Sequence, residues 1–213
     1  MQIPAGHVTL EGELTVPPDA KGLVLFAHGS GSGRHSPRNQ FVAGVLQNAG
    51  MATLLFDLLT KAEEDEDSST GHLRFDIELL AGRLVHAARA TREEPEVRHL
   101  NLGFFGASTG GGAAIVAAAQ LGEKIRAVVS RGGRPDLAGS ALGQVTAATL
   151  LIVGGEDPVV IQLNEQALRG LHCEKALRIV RGAGHLFEEP GTLDCVADLA
   201  AEWFSQHFGS ERA

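Results

Sequence analysis

Gly106-Ala107-Ser108-Thr109-Gly110 is the stretch whose reading decides the fold. It matches G-x-S-x-G, and its setting matters more than its letters. It follows the apolar run Leu102-Gly-Phe-Phe105 and opens the small-residue run Gly111-Gly-Ala-Ala-Ile115. A strand that turns at once into a helix around a serine has the form of a nucleophile elbow. The turn is tight, so small residues two before and two after the serine let the backbone pass close to itself. The hydroxyl then projects beyond the end of the sheet, and the helix N-terminus beneath it favours developing negative charge. The competing reading is a serine helix cap after a glycine-rich turn.

Outward from this centre, strand-like and helix-like runs alternate. Gly22–His28, Ala52–Asp57, Leu100–Gly106, Ile125–Ser130, Thr149–Val153 and Ala176–Val180 are short runs, apolar on both faces. They suit strands of a sheet covered on both sides. Leu73, Ile77, Leu80, Leu84 and Ala88 recur at steps of three and four, as do Leu193, Val196, Ala200 and Trp203. Each set lays one apolar stripe on a helix. Ala113–Leu121 is nearly all Ala and Val, which predicts a helix packed closely on the sheet. Val8–Val16 alternates with polar residues and reads as an antiparallel edge strand. The sum is a three-layer α/β domain over residues 1–213 with a mostly parallel sheet and no room for a large cap domain. The acidic run Lys61–Gly71 reads as an exposed loop. In such sheets the working residues sit at the C-terminal ends of strands.

Composition narrows the function. Of 213 residues, 44% are hydrophobic and 21% charged, a globular mix. Lys plus Arg number 18 against 26 Asp plus Glu, a net charge of −8, which disfavours broad nucleic-acid or anionic-membrane binding. No apolar run approaches the roughly 20 residues of a membrane span. Met1–Leu10 has neither a basic nor an apolar leader region, so a cytoplasmic location is expected, with Cys173 and Cys195 as reduced thiols. There is no tyrosine, which excludes any mechanism with a Tyr acid or base. That also counts against a short-chain dehydrogenase reading of Gly103-x-x-Gly106-Ala-Ser-x-Gly110-Gly, which would need a Tyr-x-x-x-Lys partner and a place at the first strand. Gly29-Ser-Gly-Ser-Gly33 is no phosphate-binding P-loop, because no Gly-Lys-Ser/Thr follows.

A serine nucleophile needs a base, and the base an orienting acid. In the elbow architecture these follow in the order serine, acid, histidine. Asp157 stands where the run Thr149–Val153 ends, before Pro158, and suits both the acid and a helix N-cap, which can use different oxygens. Glu156 and Asp136 are its rivals. His185, in Arg181-Gly-Ala-Gly-His-Leu-Phe187 directly after a strand, is the candidate base. His172 near a helix end and His207 in the C-terminal tail read as surface residues. Two backbone amides are expected to form an oxyanion hole: Thr109, next to the serine, and Ser30 in His28-Gly29-Ser30-Gly31, with Gly31 the rival.

Together these residues resemble an α/β-hydrolase, and more narrowly the dienelactone hydrolase family and its small esterase-like relatives. The resemblance rests on His28-Gly-Ser-Gly-Ser-Gly-Arg-His-Ser-Pro-Arg-Asn39, Asp57-Leu-Leu-Thr60, Gly106-Ala-Ser-Thr-Gly-Gly-Gly112, Gly154-Gly-Glu-Asp157 and Gly184-His185. It implies an eight-stranded type of sheet and a triad of Ser108, Asp157 and His185. Dienelactone hydrolases proper use cysteine where this chain has Ser108, so a general ester or lactone hydrolase acting through an acyl-enzyme is expected, with no metal or organic cofactor. Acyl transfer on the same triad, or a silent binding protein on the same scaffold, are the alternatives. The expected partner is a small-molecule ester, with no nucleic acid and no membrane, and the chain a monomer or homodimer. Glu63 could serve as an accessory carboxylate or be a solvated charge. Arg131 and Arg134 in Ser130-Arg-Gly-Gly-Arg-Pro135 could hold a substrate carboxylate or be surface arginines.

Overall fold

The doubly apolar runs become the middle of one sheet. In the computed structural model, which describes residues 1–209, the strands are β1 (Gln2–Ala5), β2 (Val8–Thr15), β3 (Gly22–Ala27), β4 (Ala52–Phe56), β5 (Asn101–Ala107), β6 (Ile125–Arg131), β7 (Ala148–Gly154) and β8 (Lys175–Val180). Residues 210–213 of the expected span lie outside the described residues. The strand order is β1-β2-β4-β3-β5-β6-β7-β8. β1–β2 and β2–β4 pair antiparallel, and every other pair is parallel. The fold is therefore the expected α/β type, with one correction. Val8–Thr15 is antiparallel but is not the edge, because β1 lies outside it across the short turn Gly6-His7. Gln2–Ala5 is too short, and too interrupted by Pro4, to announce itself as a strand by pattern alone.

Helices α1 (Pro37–Asn48), α2 (Lys61–Thr70), α3 (Ile77–Ala90), α4 (Thr109–Leu121), α5 (Pro158–Gly170) and α6 (Thr192–Gly209) cover the sheet. Side chains alternate along each strand. Phe104 of β5 accordingly joins a core with α3 and α4, through Leu84 and Ile115, while Phe105 joins a second core with α1 and α6, through Val42 and Phe204. Helix α6 runs on to Gly209 and buries Phe204 and Phe208. This overturns the surface reading of His207, which is 8% exposed, its Nδ1 2.7 Å from the Trp203 carbonyl. The apolar C-terminal helix thus faces the sheet.

Lys61–Thr70 is the second correction: it is a helix and not a loop. Thr60 accepts from the Glu63 amide at 3.2 Å, and the Glu63 carboxylate accepts from the Thr60 amide at 2.8 Å, a capping box. Gly71, in a left-handed conformation, closes the other end. Inside it, Asp67 is buried and accepts from the Leu73 amide and the Arg74 guanidinium. Among the described residues, no helix is long and apolar enough to cross a membrane.

Candidate active site

The elbow is held by sterics. Ser108 joins β5 to α4 at φ 51°, ψ −122°, a conformation that costs a non-glycine residue about 1–3 kcal/mol and persists only where the surroundings enforce it. They do so here. The Ser108 amide donates to the Arg131 carbonyl at 3.3 Å, and the Ser108 carbonyl accepts from the amides of Gly111 and Arg134, each at 3.0 Å. A Cβ on Gly106 would lie 2.6 Å from the Gly111 Cα, and one on Gly110 would lie 2.6 Å from the His28 carbonyl oxygen. Only glycine at both positions lets β5, α4 and the end of β3 converge.

The acid and the imidazole meet above the next strands. Asp157 caps α5: Oδ1 accepts from the Val160 amide at 3.4 Å, while Oδ2 lies 2.7 Å from His185 Nδ1. One carboxylate so holds both the helix and the ring, on different oxygens. Asp157 is largely buried and His185 is 40% exposed. With Nδ1 donating to the carboxylate, Nε2 is the nitrogen free to take a proton. Among the described residues Ser108 and His185 make no hydrogen bond. They are joined through Gly132, which follows the residue whose carbonyl holds Ser108 and sits so close to His185 that a Cβ would be 3.1 Å from the His185 carbonyl. The rivals fall elsewhere. Glu156 and His172 are exposed, and Asp136 is gripped by Arg134 in a two-pronged pair at 2.8 and 2.7 Å.

The loop after β3 lies against the elbow. A Cβ on Gly29 would stand 3.1 Å from the Ser108 Cβ. The Ser30 amide donates to Thr109 Oγ1 at 3.1 Å, so both expected oxyanion donors belong to residues in direct contact. Gly31, its rival, is exposed at φ 70°. His28 anchors this loop from below. Its Nε2 accepts from the Leu58 amide at 2.9 Å, which leaves Nδ1–H to donate to the Gly29 carbonyl at 3.0 Å. Burial pushes the His28 pKa below the ordinary imidazole value.

A cleft of about 980 Å³ runs from Ser30 and Thr109 between the 28–38 loop and the segment from Asp57 through α2. Helix α2 is thus a wall of this cleft, which meets the elbow at Thr109, and sequence reading missed it. Its signal was Thr60-x-x-Glu63, the cap pattern, hidden under acidic composition. Glu63 is no accessory carboxylate: one oxygen serves the cap and the other pairs with the buried Arg83 at 2.5 Å. Arg134 is spent on Asp136, and Arg131 is no surface arginine, being 7% exposed. Among the described residues no group of three His, Cys, Asp or Glu side chains is placed to hold a metal ion.

Comparison with known proteins agrees with this fold. A family model described as the dienelactone hydrolase family matches residues 11–207. The solved dienelactone hydrolase of Anabaena variabilis ATCC 29413 is 60% identical, with a TM-score of 0.95 over 97% of this chain and 96% of that one. A protein of Mycobacterium tuberculosis H37Rv, named "Putative phosphoribosyl transferase", is 56% identical over 207 residues, covering 97% of this chain and 46% of the relative. The chain therefore spans about half the length of the curated relatives it matches. Est1E of Butyrivibrio proteoclasticus, solved with ferulic acid, shares the fold at a TM-score of 0.83 and 16% identity, over 99% of this chain and all of that one.

Proposed function

The chain belongs to the dienelactone hydrolase family, and from that premise we propose that it is a serine hydrolase of small carboxylic esters or lactones. One observation carries the reading: a serine at φ 51°, ψ −122° on a strand-to-helix turn, in a chain whose His185 imidazole, packed against Gly132, is already held by a carboxylate at 2.7 Å. Ser108 attacks the carbonyl carbon while His185 Nε2 takes its proton. Asp157 keeps the ring in the required tautomer and stabilises its charged form. The amides of Thr109 and Ser30 receive the oxyanion, and for this the Ser30 amide exchanges its bond to the Thr109 hydroxyl for one to the substrate oxygen. His185 then protonates the leaving alcohol. Water, deprotonated by the same imidazole, releases the acid and restores Ser108. Hydrogen bonds between nucleophile and base are commonly long before substrate binds and tighten in the complex.

The cleft favours small polar substrates. It is walled by the 28–38 loop and α2, which bring charged and hydroxyl side chains to its rim. The name borne by the mycobacterial relatives describes proteins about twice as long, of which this chain matches one half. The test is hydrolysis of short-chain p-nitrophenyl esters by the wild type and by Ser108→Ala. The proposal predicts a fall in kcat of about 10⁴-fold or more, as for loss of a triad nucleophile. Equal activity in both proteins would place the nucleophile elsewhere.

A further inference from the structure

The large cleft lies to one side of the nucleophile. In the sheet, β3 and β4 stand on one side of β5, and β6, β7 and β8 on the other. Ser108 follows β5. Every residue lining the cleft of about 980 Å³, Thr109 excepted, comes from residues 9–80. These belong to β2, the 28–38 loop, the segment after β4, α2 and the turn into α3 with its first residues. Asp157 and His185 follow β7 and β8, and no residue of either loop lines the cleft. The space on the histidine's side is smaller. The cavity that borders the end of its loop, at Phe187 and Glu188, holds about 390 Å³. His185 itself is 40% exposed, and Val159 and Leu186, the neighbours of the acid and the base in the chain, are exposed as well.

This asymmetry meets a stereochemical requirement. The carbon of a tetrahedral adduct on Ser108 carries four groups. One is Ser108 Oγ. The oxyanion points to the amides of Ser30 and Thr109, whose residues border the cleft. The leaving oxygen points to His185 Nε2, because that nitrogen must give it the proton. The acyl chain takes the direction that is left. A group carried on the leaving oxygen therefore starts on the β7 and β8 side of Ser108. To reach the cleft it would have to fold back across the oxyanion donors. The acyl chain is bonded to the very carbon whose oxygen those donors hold, so it begins at the mouth of the cleft.

We propose that the cleft holds the acid half of the substrate ester, while the alcohol half leaves on the open side beside His185. The substrate class is then an ester recognised through its acid, with little demand on its alcohol. This rests on the hydrolase reading and adds to it the division of the substrate between the two sides. The selecting wall is α2, through Lys61 and Glu64. Glu64 is half-buried and lines the cleft, and its carboxylate joins no hydrogen bond or ion pair among the described residues. It is therefore a place where bulk can be added to the cleft with little disturbance elsewhere.

The test measures kcat/KM for two series of esters with wild type and Glu64→Trp. One series varies the acid: p-nitrophenyl acetate, butyrate and hexanoate. The other varies the alcohol: the acetates of phenol, 1-naphthol and 4-phenylphenol. For each ester the ratio of variant to wild type cancels the ester's own reactivity. The indole narrows the cleft, so the ratio falls about tenfold from p-nitrophenyl acetate to the hexanoate, the scale on which a pocket discriminates by room. Across the acetates it stays constant. Lys61→Trp, at the exposed start of the same wall, decides in its place if Glu64→Trp does not fold. A ratio that falls across the acetates alone, falls equally across both series, or stays constant across both overturns the proposal. The hydrolase reading fails in a different way, by a wild type that hydrolyses neither series or one whose activity survives in Ser108→Ala.

Discussion

The elbow end of the sheet and helix α2 border the same cleft, yet different physics builds them. At the elbow, backbone atoms of β3, β5 and α4 converge so closely that a single Cβ would collide at Gly106 or Gly110. At α2, no backbone forces the shape. A cap at Thr60, a left-handed Gly71 and two arginines from other segments, Arg74 and Arg83, hold an acidic stretch in a helix. Steric necessity leaves a mark on the residues themselves. Long-range pairing leaves its mark on a partner somewhere else in the chain.

Substitutions at the two places should therefore fail differently. The largest effect is expected from His185→Gln, which removes the base without disturbing packing. We expect kcat/KM on a p-nitrophenyl ester to fall by about 10⁴-fold with little change in Tm. Next, Gly110→Ala should destabilise the protein by about 3 kcal/mol, measured by urea unfolding, because the new methyl meets the carbonyls of Ala27 and His28. A cost under about 0.5 kcal/mol would mean that the elbow is held by something other than close approach. Glu63→Ala should cost about 2 kcal/mol in the same measurement, since it empties the cap and leaves Arg83 without its carboxylate. Its ester hydrolysis should change little. A variant of α2 that loses activity while keeping stability would erase the distinction.

The smallest effect concerns pH. Burial holds the folded pKa of His28 below its ordinary 6.5. The unfolded chain then binds more protons below that pH, so stability falls as pH falls. The slope from this one group is at most about 1.4 kcal/mol per pH unit. Urea midpoints between pH 8 and pH 5 should drop for wild type and drop less for His28→Gln. Equal slopes would show that His28 takes up its proton as readily in the folded chain as in the unfolded one.

This contrast also explains what the sequence made legible. The parallel strands, the stripes of α3 and α6 and the placing of Asp157 as a helix cap followed from apolar period and from turn chemistry at adjacent residues. The elbow followed from glycine spacing. Helix α1 went unread, because Ser36-Pro37 is a cap signal with only a weak apolar stripe behind it. β1 is four residues long. The burial of His207 depends on where α6 stops. The lone state of Arg131 against the paired state of Arg134 cannot be read from Arg131-Gly-Gly-Arg134, since it turns on Asp136 meeting one guanidinium and Phe187 the other.

The central claim is that Ser108 is a nucleophile activated in place. Reaction with a fluorophosphonate probe tests it most directly, since the probe phosphonylates an activated serine and leaves an ordinary hydroxyl alone. We predict stoichiometric labelling of the wild type, located by mass spectrometry on the peptide containing Ser108, and none in Ser108→Ala or His185→Gln. A label on another residue, or an unlabelled wild type under conditions that modify known serine esterases, would contradict it.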